Sequence, residues 1–95
     1  MSSYEVAHIR EQGVDLIIVP LEASFNLKSQ ATQQETWRYL QECAASAGLA
    51  GTVVPVWEVS GGRMAFLAPP QWHAYFRSIN LAFVLANINR TLTCT

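Results

Sequence analysis

After Glu58 the chain contains no aspartate or glutamate: residues 59 to 95 carry Arg63, Arg77 and Arg90 with no acidic residue to balance them. A histidine in that part has no local carboxylate to orient it. Charge is scarce throughout, at 14% of 95 residues, where an average soluble domain has roughly 25%. The formal net charge is −1 and the isoelectric point is about 6.0, so no strong field recruits nucleic acid or an anionic membrane. Six basic residues also offer few phosphate contacts, so nucleic acid is not expected as a partner.

Cysteine is limited to Cys43 and Cys94, with neither a CxxC pair nor the Cys/His spacing of a zinc site. The default reading is two free thiols, no metal and no cofactor, in a reducing cytoplasm. The amino-terminal MSSYEVAHIR lacks a basic stretch followed by an apolar core, so no secretory leader is expected. The longest apolar run, INLAFVLANI at 79 to 88, is too short to cross a membrane and is interrupted by Asn80 and Asn87. Repeats, low-complexity tracts and charge blocks are missing too, and the length suits one α+β domain over residues 1 to 95.

What is abundant is apolar surface. Hydrophobic residues make up 51% of the chain, and a domain of this size buries only about two thirds of the surface of its unfolded chain. A lone monomer would leave much of it in water, which favours a homo-oligomer, most simply a dimer.

VDLIIVPL, residues 14 to 21, is apolar on both alternating faces, as a central strand is. Upstream, YEVAHIRE reads as a helix capped by Ser2 and Glu5, or as a strand joined to VDLIIVPL by a Gln12-Gly13 turn; the strand is preferred, and it sets Arg10 opposite Asp15 and Ile9 opposite Leu16. A helix is expected from about Gln33 to Ala47, with Thr32 and Glu35 as capping box and Gly48 as its stop. TVVPVWEV (52 to 59) and RMAFLAP (63 to 69) flank Ser60-Gly61-Gly62 as a hairpin, and Pro69-Pro70 leads into a last helix expected from about Pro70 to Thr91.

The order ββαββα resembles, in topology alone, a circularly permuted ferredoxin-like plan: a two-layer sandwich with a four-stranded sheet in the order 1-2-4-3 and two helices on one face. Pro55 would then lie on an edge strand, where a missing ladder donor is tolerated. A thioredoxin-like reading, in which Pro55 would be cis, is the rival, although CxxC is missing.

Two groups of residues stand out. Arg63, Trp72, His73 and Arg77 are candidates for an anion-accepting pocket between subunits, the arginines gripping a small anionic ligand and the indole supplying stacking area. The simpler readings are a cross-strand partnership of Arg63 with Glu58, a partly packed His73, as for His8, and a Trp72 in the core. Tyr75, Leu81, Leu85, Ile88 and Leu92 fall on or beside a second face of the last helix and are candidates for a subunit interface. A non-catalytic oligomeric binding or assembly module is the leading expectation, and a small-molecule enzyme or ligand-binding protein the alternative, since no nucleophile and base stand at readable spacing.

Overall fold

A computed structural model of the chain describes residues 2 to 94. Strands β1 (Ser2–Glu11) and β2 (Val14–Pro20) form an antiparallel hairpin, with Arg10 opposite Asp15 and Ile9 opposite Leu16 as expected. Gln12 and Gly13 both take positive φ, 52° and 78°, the geometry of a two-residue type I′ turn that matches strand twist. Arg10 Nη1 and Asp15 Oδ1 lie 3.3 Å apart across the strands.

Helix α1 (Gln30–Ser46) starts three residues earlier than the sequence reading, because Ser29 rather than Thr32 caps it: the Ser29 hydroxyl accepts from the Thr32 amide at 3.1 Å. Its end is as expected. Gly48 takes φ 78°, and the amides of Leu49 and Gly48 fold back onto the carbonyls of Ala44 and Ala45, closing the helix in a Schellman motif. The hairpin of β3 (Thr52–Val59) and β4 (Arg63–Phe66) also forms, although β4 ends at Phe66 rather than at Pro69.

The last third of the chain corrects the sequence reading. In place of one helix to Thr91 there are a 3₁₀ turn (Pro70–Trp72), two short helices, α2 (His73–Ser78) and α3 (Leu81–Ala86), and a fifth strand, β5 (Arg90–Cys94). The break falls at Ile79, which is extended, and Asn80 starts the next helix by accepting from the Phe83 amide at 2.9 Å.

The sheet is mixed and five-stranded, in the order β4-β3-β2-β1-β5, with β2 and β3 parallel and the other pairs antiparallel. The four-stranded order 1-2-4-3 is therefore not the one adopted: α1 carries the chain from β2 straight to its neighbour β3, leaving β4 at the edge. Nor do the helices share one face. Val6, Ile17, Val19 and Val53 pack with Leu40, Cys43 and Ala44 of α1, whereas Ala7, Leu16, Ile18, Val54 and Val56 pack with Trp72, Phe76 and Val84. Because neighbouring strand residues point to opposite faces, α1 lies on one side of the sheet and α2 and α3 on the other.

Pro55 accordingly sits between two strands rather than on an edge, and every described peptide bond is trans. Its carbonyl accepts from the Leu67 amide at 3.0 Å, on the β4 side. In a strand the N–H and C=O of one residue point the same way, so the missing donor also faces β4, which has already ended at Phe66. The edge condition is met locally.

Cys43, on the inner side of α1, and Cys94, at the end of β5, are joined in a disulfide across a sequence separation of 51, with Cα atoms 5.3 Å apart. This corrects the expectation of two free thiols, and with it goes the ground for placing the chain in a reducing compartment. The unforeseen β5 brings the pair together by returning along β1 beneath α1. No helix among the described residues is long and apolar enough to cross a membrane.

Candidate functional site

Strand β1 changes partner halfway along its length. Residues 7 to 11 pair with β2, and residues 2 to 6 pair with β5 on the other side. Backbone groups of successive strand residues point alternately left and right, which fixes what each half offers. Glu11 and Val14 close the β1–β2 turn, so Glu11, Ile9 and Ala7 direct their N–H and C=O toward β2. Val6 points the other way: its carbonyl accepts from the Asn89 amide at 3.1 Å. By the same alternation Ser3 and Glu5 face β2, where no strand meets them.

Pro20 supplies the physical reason. Leu21 donates to Val56 at 2.7 Å, so Leu21 and Val19 face β3, while Ile18 and Pro20 face β1. The residue due to pair with Glu5 is thus Pro20, and proline has no N–H to give. The ladder stops at Ala7 and Ile18, β2 turns away into a 3₁₀ segment (Ala23–Leu27), and a notch opens through the sheet.

The notch is a cleft of about 590 Å³, within the range of small-ligand sites. On the α1 side its walls are Tyr4, Leu21 and Phe25, together with Thr32 and Thr36 from the first turns of α1. On the other side they are Leu85 of α3 and Ile88 just beyond it. Glu5, Glu22 and Lys28 bring two carboxylates and one ammonium to the rim, and the hydroxyls of Ser3 and Ser24 complete it. Among the described residues the only ion pair is Arg10–Asp15, so these three charges are not consumed by one another. The arrangement provides apolar walls, hydroxyls and free backbone ladder groups, which are the means of binding an extended chain.

The residues nominated from sequence lie elsewhere. Trp72 is buried against α2, edge-on to Tyr75 at 5.9 Å. His73 is half-buried, its Nε2 2.9 Å from the Ala68 carbonyl and its ring edge-on to Phe66 at 5.5 Å. Arg63 is exposed opposite Val59 rather than Glu58, and Arg77 is exposed in the last turn of α2. None of the four lines the notch. His8 is also engaged, its Nε2 2.9 Å from the Ala50 carbonyl.

Of the interface candidates, Leu81, Leu85 and Ile88 stay at least partly exposed around α3, and Tyr75 is half-buried on α2. Leu92 is a correction: it belongs to β5, points into the α1 side of the core and is fully buried. Phe83, 39% exposed on α3, joins Leu85 at the surface. At Tyr75, burial pushes the phenol pKa above its ordinary value, and the negative charge of Glu11, with a hydrogen bond to it, adds to that shift.

The notch itself went unread in the sequence, although Pro20 inside an otherwise central strand was its sign. Comparison with known protein families, with curated proteins and with solved structures gives no match. Function therefore has to be argued from the site alone.

Proposed function

We propose that this chain is a small, non-catalytic binding and assembly module that works as a homo-oligomer, most simply a dimer, with α3 and the turn after it at the contact. One observation carries the reading: Leu85 is 55% and Phe83 39% exposed on a six-residue helix, in a chain that has few charges to keep copies apart. Leu81 and Leu85 are one turn apart on α3, and Ile88, just beyond its end, lines the same cleft wall as Leu85, so their surfaces merge into one apolar shoulder. Covering that shoulder with a second copy removes it from water at roughly 25 cal/mol per Å².

Sedimentation of the purified protein across micromolar concentrations tests this, and an oligomer is the expected result. Leu85→Asp should yield a folded monomer, because the aspartate is solvated in a single chain and buried without a partner in the assembly. A wild-type protein that is monomeric at every concentration would overturn the reading.

A further inference from the structure

We propose that the notch between the amino-terminal half of β1 and the end of β2 binds a short extended peptide of a partner protein, apolar in alternate positions and carrying net positive charge, as an added strand. This rests on the binding-module reading and not on self-association; Leu85 and Ile88 belong both to the cleft wall and to the proposed subunit contact, so the peptide and a second copy compete for them.

The unpaired ladder groups come first. Ser3 and Glu5 each present an N–H and a C=O to the gap, and Pro20 presents a C=O with no N–H of its own. Strand addition uses such groups for affinity and the alternate side chains for selection. Ser3 and Glu5 are two residues apart, about 7 Å along a strand, so the paired core of the peptide is about three residues.

The walls fit the same occupant. A strand laid in the gap sends successive side chains to opposite faces of the sheet. On one face they would meet Tyr4, Leu21 and Phe25, on the other Leu85 and Ile88. A cleft confined to one face would favour a compact ligand; one that pierces the sheet and is apolar at both mouths favours a chain with period-two side chains. Glu5 and Glu22 against Lys28 leave the rim one charge negative, which selects a cationic segment through complementarity.

The probe is a panel of acetylated, amidated pentapeptides of alternating valine and threonine, with a central lysine, glutamine or glutamate. Amide shifts of the ¹⁵N-labelled protein are the readout, and sedimentation of the same samples follows assembly separately. The lysine peptide should move the Ser3 and Glu5 amides at the lowest concentration and the glutamate peptide at the highest. N-methylation of the peptide amides that face β1 should weaken binding about tenfold, the usual consequence of leaving a strand acceptor without its donor; methylation at the intervening amides should weaken it only at the one that meets the Pro20 carbonyl. Glu5→Pro removes the notch-facing N–H together with the rim carboxylate, leaves the β5-facing groups of Tyr4 and Val6 in place, and should cost a similar factor with the glutamine peptide, whose centre carries no charge. The methylated peptides keep the test independent of how that variant folds. No shift at Ser3 or Glu5 with any peptide at millimolar concentration, or equal binding of all methylated forms, would overturn the proposal. So would protection of those two amides in the oligomer without peptide, which assigns the notch to a second copy. A protein that is monomeric at every concentration without peptide, yet binds the lysine peptide at Ser3 and Glu5, would sink the assembly reading and leave this one standing.

Discussion

Helix α1 covers its side of the sheet with seventeen residues, a serine cap at one end, a Schellman closure at the other and a disulfide to the neighbouring edge strand, whereas the opposite side is covered by two six-residue helices broken at Ile79. The difference shows in what remains wet. On the α1 side the strand residues and Leu40, Cys43 and Ala44 are buried together, while Tyr4, Leu21, Trp37 and Leu49 are partly buried and Tyr39 on the outer face of α1 is exposed. On the other, Val84 and Phe76 reach the core, but Tyr75, Ile79, Leu81 and Ile88 are only partly buried, and Phe83 and Leu85 are left out. A helix shorter than two turns cannot shield its own shoulders, so the short-helix face is the one suited to meet another molecule. The long-helix face serves as the scaffold.

Core truncation should separate the two faces most strongly. Trp57 lies on the α1 side, edge-on to Phe25 at 4.8 Å, with its Nε1 donating to Asn26 at 3.2 Å. Phe76 is its counterpart under α2. Each change to alanine should cost about 3 to 5 kcal/mol, with Trp57→Ala toward the upper end, because a face held by caps and a disulfide collapses less readily into a cavity. Urea denaturation checks this. A larger loss for Phe76→Ala would reverse the assignment of rigid and yielding faces.

Reducing the disulfide should be the next largest effect. A bridge with a sequence separation of 51 constrains the unfolded chain by about 4 kcal/mol in the loop-entropy account. Denaturation with and without dithiothreitol should reveal most of that loss. If reduction left the midpoint unchanged, α1 would owe its closure to packing alone, and the contrast between the faces would shrink.

How much of this was legible in the sequence depends on range. The Gln12-Gly13 turn, the Arg10–Asp15 register and the Gly48 stop are set by neighbouring residues, and each is where sequence reasoning places it; the β3–β4 hairpin forms at the expected place but with Arg63 opposite Val59 rather than Glu58. Strand order was not legible, because it is decided by which distant strand α1 delivers the chain to. At the carboxyl end two periods overlap: Leu81, Leu85, Ile88 and Leu92 are spaced as on a helix, yet Arg90, Leu92 and Cys94 with intervening threonines alternate as in a strand. Pairing with β1 settles the competition in favour of the strand. That same strand carries Cys94 to Cys43, so the disulfide follows from the one element the sequence pattern concealed, whereas the notch follows from Pro20. Half-burial of Tyr75 beside Glu11 was equally out of reach, since the two are 64 positions apart in the chain.

Tyr75 gives the smallest and most local test of the yielding face. Burial raises its phenol pKa first, and the Glu11 carboxylate from β1 adds to it. A raised folded-state value means that the neutral phenol is favoured by folding. The associated stability is complete below the unfolded value, near 10, and is lost as pH rises through the higher folded value. Ultraviolet titration should therefore show a late phenol ionisation, and Tyr75→Phe should remove that late step. Glu11→Gln should bring it part of the way back, since burial, the larger cause, persists. Full reversal by Glu11→Gln would mean that Tyr75 is solvated in the native protein and that α2 does not rest on the sheet there. A late step that survives Tyr75→Phe would show that the late-ionising phenol is not the one beneath α2, and would remove this support for the packing of α2 on the sheet.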